Sequence, residues 1–323
     1  MGLKEYVRPI YKFGRLGFAA SVPSRRPIVA VYGNCQAEAL RQILELSPDF
    51  SRNYYAIPIP GAHEVTRAQL PALHMVVRRA SVILTQRIRD DYRALPLGTN
   101  QVLTHARSDA TILTYPSMFY RGLHPYLAYV HATGELGTPA PLTSGYHDLR
   151  FIYAAGRGMS DEAAREWLHE FTGDAGFIEE MASESLQSLR ARERNLDLTV
   201  SAVIPGLADR SFWTLNHPSN AVLSEAARAA HRVLGTRAAP TAATDEMLTS
   251  LVAPVHAHIR VALGYPERAE DKGWSINGRQ FSDVEVMSTH LGYYRRRPEV
   301  LLHAKKEHAV LLSRAGLGAV GAH

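Results

Sequence analysis

Cysteine is nearly absent from this chain: 323 residues carry one thiol, Cys35. A single cysteine excludes an internal disulfide framework and gives no support to a cysteine-built zinc site, so a reducing compartment, the cytoplasm, is the expected setting. Long apolar runs are also missing, every stretch falling well short of the roughly 18 to 20 residues that a membrane span needs. Neither GxGxxG nor GxxxxGK[ST] occurs, which removes support for Rossmann or P-loop nucleotide binding. No carboxylate-rich cluster with ligand spacing is present, and no metal is expected. The net charge of +5 comes from scattered arginines and not from a basic block. That distribution suits small anionic ligands and gives no reason to expect nucleic acid as a partner.

What is present is the composition of a globular protein, with 46% hydrophobic and 21% charged residues. Residues 1–27 read as a basic surface arm whose apolar piece, LGFAASV, is too short for a signal sequence, which leaves peripheral contact as its only membrane role. Residues 28–235 read as an α/β core. Residues 236–323 read as a linker, GTRAAPTAAT at 235–244 marking its start, followed by a mostly helical extension packed on the core.

The run Ile28 to Tyr32, between Pro27 and Gly33, predicts a buried strand, and the spacing of Leu40, Ile43 and Leu44 predicts a helix over Gln36 to Leu46. Asn34 is placed to cap that helix. Further strands are expected at Tyr54 to Ile59, Ser81 to Thr85 and Ala110 to Tyr115, with a helix over Val65 to Arg79 interrupted early by Pro71. Strands alternating with helices predict a mainly parallel sheet flanked by helices, which binds ligands outside the carboxyl ends of its strands. After residue 116 helices dominate, at Ser160 to Phe171, Glu179 to Glu193 and Val222 to Leu234, with Pro218 suited to the first turn of the last.

Cys35 falls where VYGNCQ turns from strand into helix. Unsatisfied N–H groups and the positive end of the helix dipole favour thiolate there, the nucleophilic form. Gly33 permits a tight turn and close approach of a substrate, and the side-chain amides of Asn34 and Gln36 could donate to a developing oxyanion. A lone cysteine is just as readily a small core hydrophobe. A thiol nucleophile needs a base, and among 15 histidines His217, in NHPSN ahead of a strong helix, has the most suggestive setting, with Asn216 beside it. His124 and His147 are rivals. Gln86, Arg87 and Arg89, in TQRIRDDYR after a strand, form a candidate anion-binding edge.

The blocks VYGNCQAEALRQIL, SVILTQRIRDDYR, FYRGLHPYL, SLRARERNLDLTVSAVI and FWTLNHPSNAVLSEAA, in this order, resemble the WcbI family of polysaccharide-biosynthesis acetyltransferases from about residue 28 to about residue 300. The resemblance implies binding of coenzyme A or acetyl-CoA as acyl donor and O-acylation of a sugar, polysaccharide precursor or small metabolite. On that reading Cys35 is either the acyl-accepting nucleophile or a residue bordering the thioester in a direct transfer, and His217 is the base; Gly33, Asn34, Gln36, Gln86 and Asn216 line the oxyanion and substrate; and Arg87, Arg89, Arg121 and His124 hold the cofactor. More distantly, Gly33-Asn34-Cys35 is similar to the Gly-Asp-Ser of SGNH-type hydrolases. Thr214 stands where those enzymes carry the aspartate that partners histidine, leaving Asp209 or Asp148 as substitutes. An SGNH-like esterase and a non-catalytic nucleotide- or glycan-binding protein are the competing functions.

Overall fold

In this computed structural model the described residues are 16–17, 21, 23–130, 142–239, 245–266 and 273–318. Most of the expected N-terminal arm and residues 240–244 of the expected linker lie outside them. The elements that carry the argument are β1 (Ile28–Tyr32), α1 (Cys35–Glu45), β2 (Tyr55–Ile57), α2 (Leu70–Arg79), β3 (Ala80–Thr85), β4 (Thr111–Thr114), β5 (Leu127–Tyr129), β6 (Tyr146–Asp148), α3 (Leu149–Gly156), α4 (Asp161–Glu170), α5 (Ala175–Glu193), α6 (Asn220–Leu234), β7 (Leu251–Val252), β8 (Trp274–Ile276), β9 (Arg279–Phe281), α7 (Asp283–Arg296) and α8 (Pro298–Glu307).

The chain divides into two compact units, each discontinuous in sequence: Met1–Met118 with Leu189–Leu207 and Pro218–Met247, and Phe119–Ser188 with Ala208–His217 and Leu248–His323.

The first unit holds the expected parallel sheet, in the order β2-β1-β3-β4. Every residue of β1 is buried, as a strand covered on both faces must be, and this explains why its sequence is a continuous apolar run without alternation. One cluster joins Ile28, Ala30 and Tyr32 to Leu73, Val76 and Val77 of α2. α1 packs against α6, whose buried Val222, Leu223, Ala226, Ala227 and Ala230 recur at helical spacing. Gly235 ends α6 at φ 65°, a left-handed conformation that glycine adopts without steric cost.

Two details differ from expectation. α6 begins at Asn220 with Ser219 as its N-cap residue, so Pro218 lies outside the helix. α2 begins at Leu70, and Pro71 sits in its first turn instead of interrupting it.

The second unit is not only helical. β5 pairs antiparallel with β6, and β7, β8 and β9 form a three-stranded antiparallel sheet. Two apolar clusters hold this unit together. One sets Leu149 and Ile152 of α3 with Tyr293, Tyr294 and Val300; the other sets Phe151 and Ala154 with Trp274, Val286 and Leu291.

Candidate active site

The loop after β1 is framed by side chains from the ends of β3 and β4. A Cβ on Gly33 would stand 2.5 Å from Gln86 Oε1 and 2.5 Å from Tyr115 Oη, so only glycine passes between them. Gly33 O accepts from Ala62 N–H at 2.7 Å, and Asn34 N–H donates to Gln86 Oε1 at 2.8 Å. Asn34 caps α1 as the sequence predicts: its Oδ1 accepts from Gln36 N–H at 2.9 Å, and its Nδ2 donates to Ser117 Oγ at 3.3 Å.

Gln36 and Gln86 are buried and bond to each other and to the chain. Gln86 Nε2 donates to Gln36 Oε1 at 2.9 Å and to Pro116 O at 3.2 Å. Gln36 Nε2 donates to Met118 O at 2.6 Å, and its Oε1 accepts from Met118 N–H at 3.0 Å. These amides, expected to serve an oxyanion, instead fasten the segment after β4 to the Cys35 loop. Asn34 is the amide of the three that remains half-exposed.

Cys35 is therefore the first residue of α1, half-buried, on a loop whose backbone is fixed by buried amides. Its thiol is pushed up from the ordinary cysteine range, chiefly by burial and further by the carboxylate of Glu64; its own N–H and that of Gln36 act in the opposite direction. The helix start does favour thiolate, but burial outweighs it. Glu64, Tyr115 and Ser117 were not singled out in the sequence, because nothing local in it links them to Cys35.

Arg87 and Arg89 are exposed on the segment that follows β3, the strand paired with β1. Arg87 Nη2 donates to Asn195 O at 2.7 Å.

The other expected residues belong to the second unit. His217 closes a turn in which Trp213 N–H donates to His217 O at 2.8 Å. Burial lowers the pKa of its ring, against the opposing pull of the Leu251 and Leu248 carbonyls, so the imidazole is neutral at neutral pH. Its Nδ1 is buried without a hydrogen-bond partner. Thr214 does not act as an orienter: its Oγ1 lies 3.3 Å from Tyr146 Oη and 3.4 Å from Asn216 Oδ1, and Tyr146 Oη donates to Asn216 Oδ1. Asp148 is committed elsewhere, receiving Arg150 Nε at 2.9 Å and Nη2 at 2.6 Å.

His124 is 3% exposed, its Nε2 is 3.3 Å from Phe212 O, and burial lowers its pKa to about 4. It is a core histidine, set against backbone carbonyls, at a position where the sequence predicts a cofactor contact. His147 is likewise buried, hydrogen-bonded to Tyr294 Oη, and lowered to about 3, first by burial. Arg121 donates to Leu127 O at 2.7 Å, and burial, then Arg314, lowers its pKa to about 10.

The profile of a family described as the polysaccharide biosynthesis enzyme WcbI matches residues 28–239, more than half of the chain. This chain belongs to the WcbI family. Among solved structures, one described as WcbI, a polysaccharide biosynthesis enzyme, in its native form without a disulfide bond between coenzyme A and one of its cysteines, is similar to it. That structure has 20% sequence identity and a TM-score of 0.77 over 90% of this chain and 99% of that one, a likeness of fold. A comparison with curated proteins finds no match. Among the described residues of this WcbI-family chain no helix is long and apolar enough to cross a membrane.

Proposed function

We propose that this WcbI-family enzyme is an acyl-CoA-dependent O-acyltransferase, with acetyl-CoA as donor and a sugar, polysaccharide precursor or small-metabolite hydroxyl as acceptor. The observation that carries the proposal is the placement of Cys35: the first residue of a helix, half-buried, at the carboxyl end of β1, on a loop held rigid by Gln36 and Gln86. Rigid presentation is what a nucleophile needs. A thioester and a diphosphate both fit the first unit's residues: a half-exposed Asn34 amide beside the thiol, and exposed Arg87 and Arg89 after the neighbouring strand. The donor supplies an activated acyl carbon.

Because burial keeps the thiol protonated, Cys35 requires a base; the neutral imidazole of His217 is the candidate carried over from the sequence, on its chemistry alone. In the first half-reaction the base would take the Cys35 proton and sulfur would bond to the acyl carbon of a bound thioester, whose carbon–sulfur bond breaks, the released thiolate taking up that proton. In the second, the base would take the acceptor's hydroxyl proton, oxygen would bond to the acyl carbon, and Cys35 would leave as thiolate and recover a proton from the base. Asn34 Nδ2 and the Cys35 N–H are the proposed oxyanion donors.

Intact-protein mass spectrometry after incubation with acetyl-CoA tests this. The expected result is a mass gain of one acetyl group on wild type, none on Cys35→Ala, and acylation slowed by roughly 100-fold or more in His217→Gln. Stabilisation by coenzyme A with no acetyl gain on any protein would replace the covalent route with direct transfer, leaving Cys35 as a pocket residue. Absence of both would remove acyl-CoA chemistry and direct the search to ester hydrolysis.

A further inference from the structure

A cavity of about 600 Å3 lies wholly within the unit that does not contain Cys35. Its size falls in the range of roughly 300 to 1,000 Å3 typical of small-molecule sites. On its wall is Arg150, 3% exposed, forked onto the equally buried Asp148. The guanidinium carbon stands 5.7 to 5.9 Å from the centres of the Tyr126, Phe151 and Phe171 rings, and Nη2 is 3.0 Å from His256 Nε2. The described bonds of the guanidinium are made by Nε and Nη2, which leaves the Nη1 amino group for a ligand. A buried ion pair is weak evidence for stability, since well-packed apolar groups of similar volume often do as well; the position of this one beside an open cavity points to binding.

The rest of the lining is mixed in sign. Arg165 adds a second donor, while Glu166 and Asp283 add carboxylates. Asp283 is anchored, its Oδ1 accepting from Trp274 Nε1–H at 2.7 Å and its Oδ2 lying 3.4 Å from His256 Nε2. An anion entering here would meet two carboxylates, and a cation would meet two guanidinium groups. A hydroxyl both donates and accepts, so a polyol satisfies donors and acceptors together. Phe171, Leu168 and Val284 supply an apolar wall beside them, suited to the C–H face of a sugar ring.

We infer that this cavity is a second ligand site, for a neutral saccharide. It rests on the cavity's own lining and not on acyl transfer, so loss of either reading leaves the other standing.

Saturation-transfer NMR on the full chain tests it, with the neutral methyl glycosides of glucose, mannose and galactose as probes at millimolar concentration and inorganic phosphate as competitor. Transfer to at least one glycoside is expected, with affinity falling about tenfold in Glu166→Ala and in Asp283→Asn, because each removes a charged hydrogen-bond partner. Glu166 is exposed, so its variant keeps the fold, and acetyl gain at Cys35 in that protein is expected to match wild type. The inference is overturned if none of the three glycosides shows transfer, if both substitutions leave binding unchanged, or if phosphate displaces the glycoside, which would mark an anion site.

Discussion

At Cys35 two effects oppose each other within a few ångströms. The start of α1 offers N–H groups that stabilise thiolate, while burial and the Glu64 carboxylate stabilise the thiol, and the second pair wins. Replacing Glu64 with Gln removes one of the raising influences and leaves the others, so the pH midpoint for iodoacetamide alkylation of Cys35 should move downward. A midpoint that stays put or rises would show that Glu64 does not act on the thiol. The amide frame gives a second expectation at this scale. Gln86→Leu strands the Asn34 N–H and the Pro116 carbonyl that Gln86 now satisfies, leaves the Gln36 amide oxygen with the Met118 N–H alone, and should lower stability by about 1–3 kcal/mol in urea denaturation. The strand, the turn and the cap were legible in VYGNCQ because each depends on neighbours within a few residues. The partnership of Gln36 with Gln86 was not, since it joins positions 50 apart in sequence. The core placement of His124 was equally hidden, because a histidine in a short motif looks the same whether its ring faces solvent or a backbone carbonyl.

At the level of elements, legibility followed length. α4, α5 and α6 were expected within a few residues of their true ends because each spans several turns and repeats its apolar spacing; Ser160 caps α4 through a bond from Ala163 N–H at 3.1 Å. The strands of the second unit are two or three residues long, too short for alternation to register, and their pairing is set by contacts distant in sequence. Helix ends carry the testable energetics. α7 begins with a capping box: Ser282 Oγ accepts from Glu285 N–H at 3.3 Å, and the Glu285 carboxylate accepts from Ser282 N–H at 2.7 Å. Ser282→Ala removes one half of that exchange and should cost about 1 kcal/mol, read as a lower urea midpoint at unchanged slope. A changed slope would instead mean that the unit no longer unfolds with the rest.

For the whole molecule, the neutral histidines of the second unit set the response to acid. Burial holds His124 at about 4, His147 at about 3 and His290 at about 4 in the folded chain, against about 6.5 for an exposed ring. Between those values the unfolded chain binds protons that the folded chain refuses, so stability must fall as the pH drops from about 6.5 toward 4, and must level off only where the folded rings also protonate. Above pH 6.5 these groups contribute their full share and add no slope. Thermal unfolding measured at pH 7, 6 and 5 should therefore show a progressive loss of Tm, and His290→Gln should flatten it by removing one of the contributing groups. That replacement keeps a hydrogen-bonding side chain near Thr143 Oγ1, which lies 3.0 Å from His290 Nε2, so its effect on slope is separable from its effect on packing. A Tm that holds level from pH 7 to 5, or rises, would mean that these rings are hydrated and charge freely, and that the second unit is looser than its burial implies.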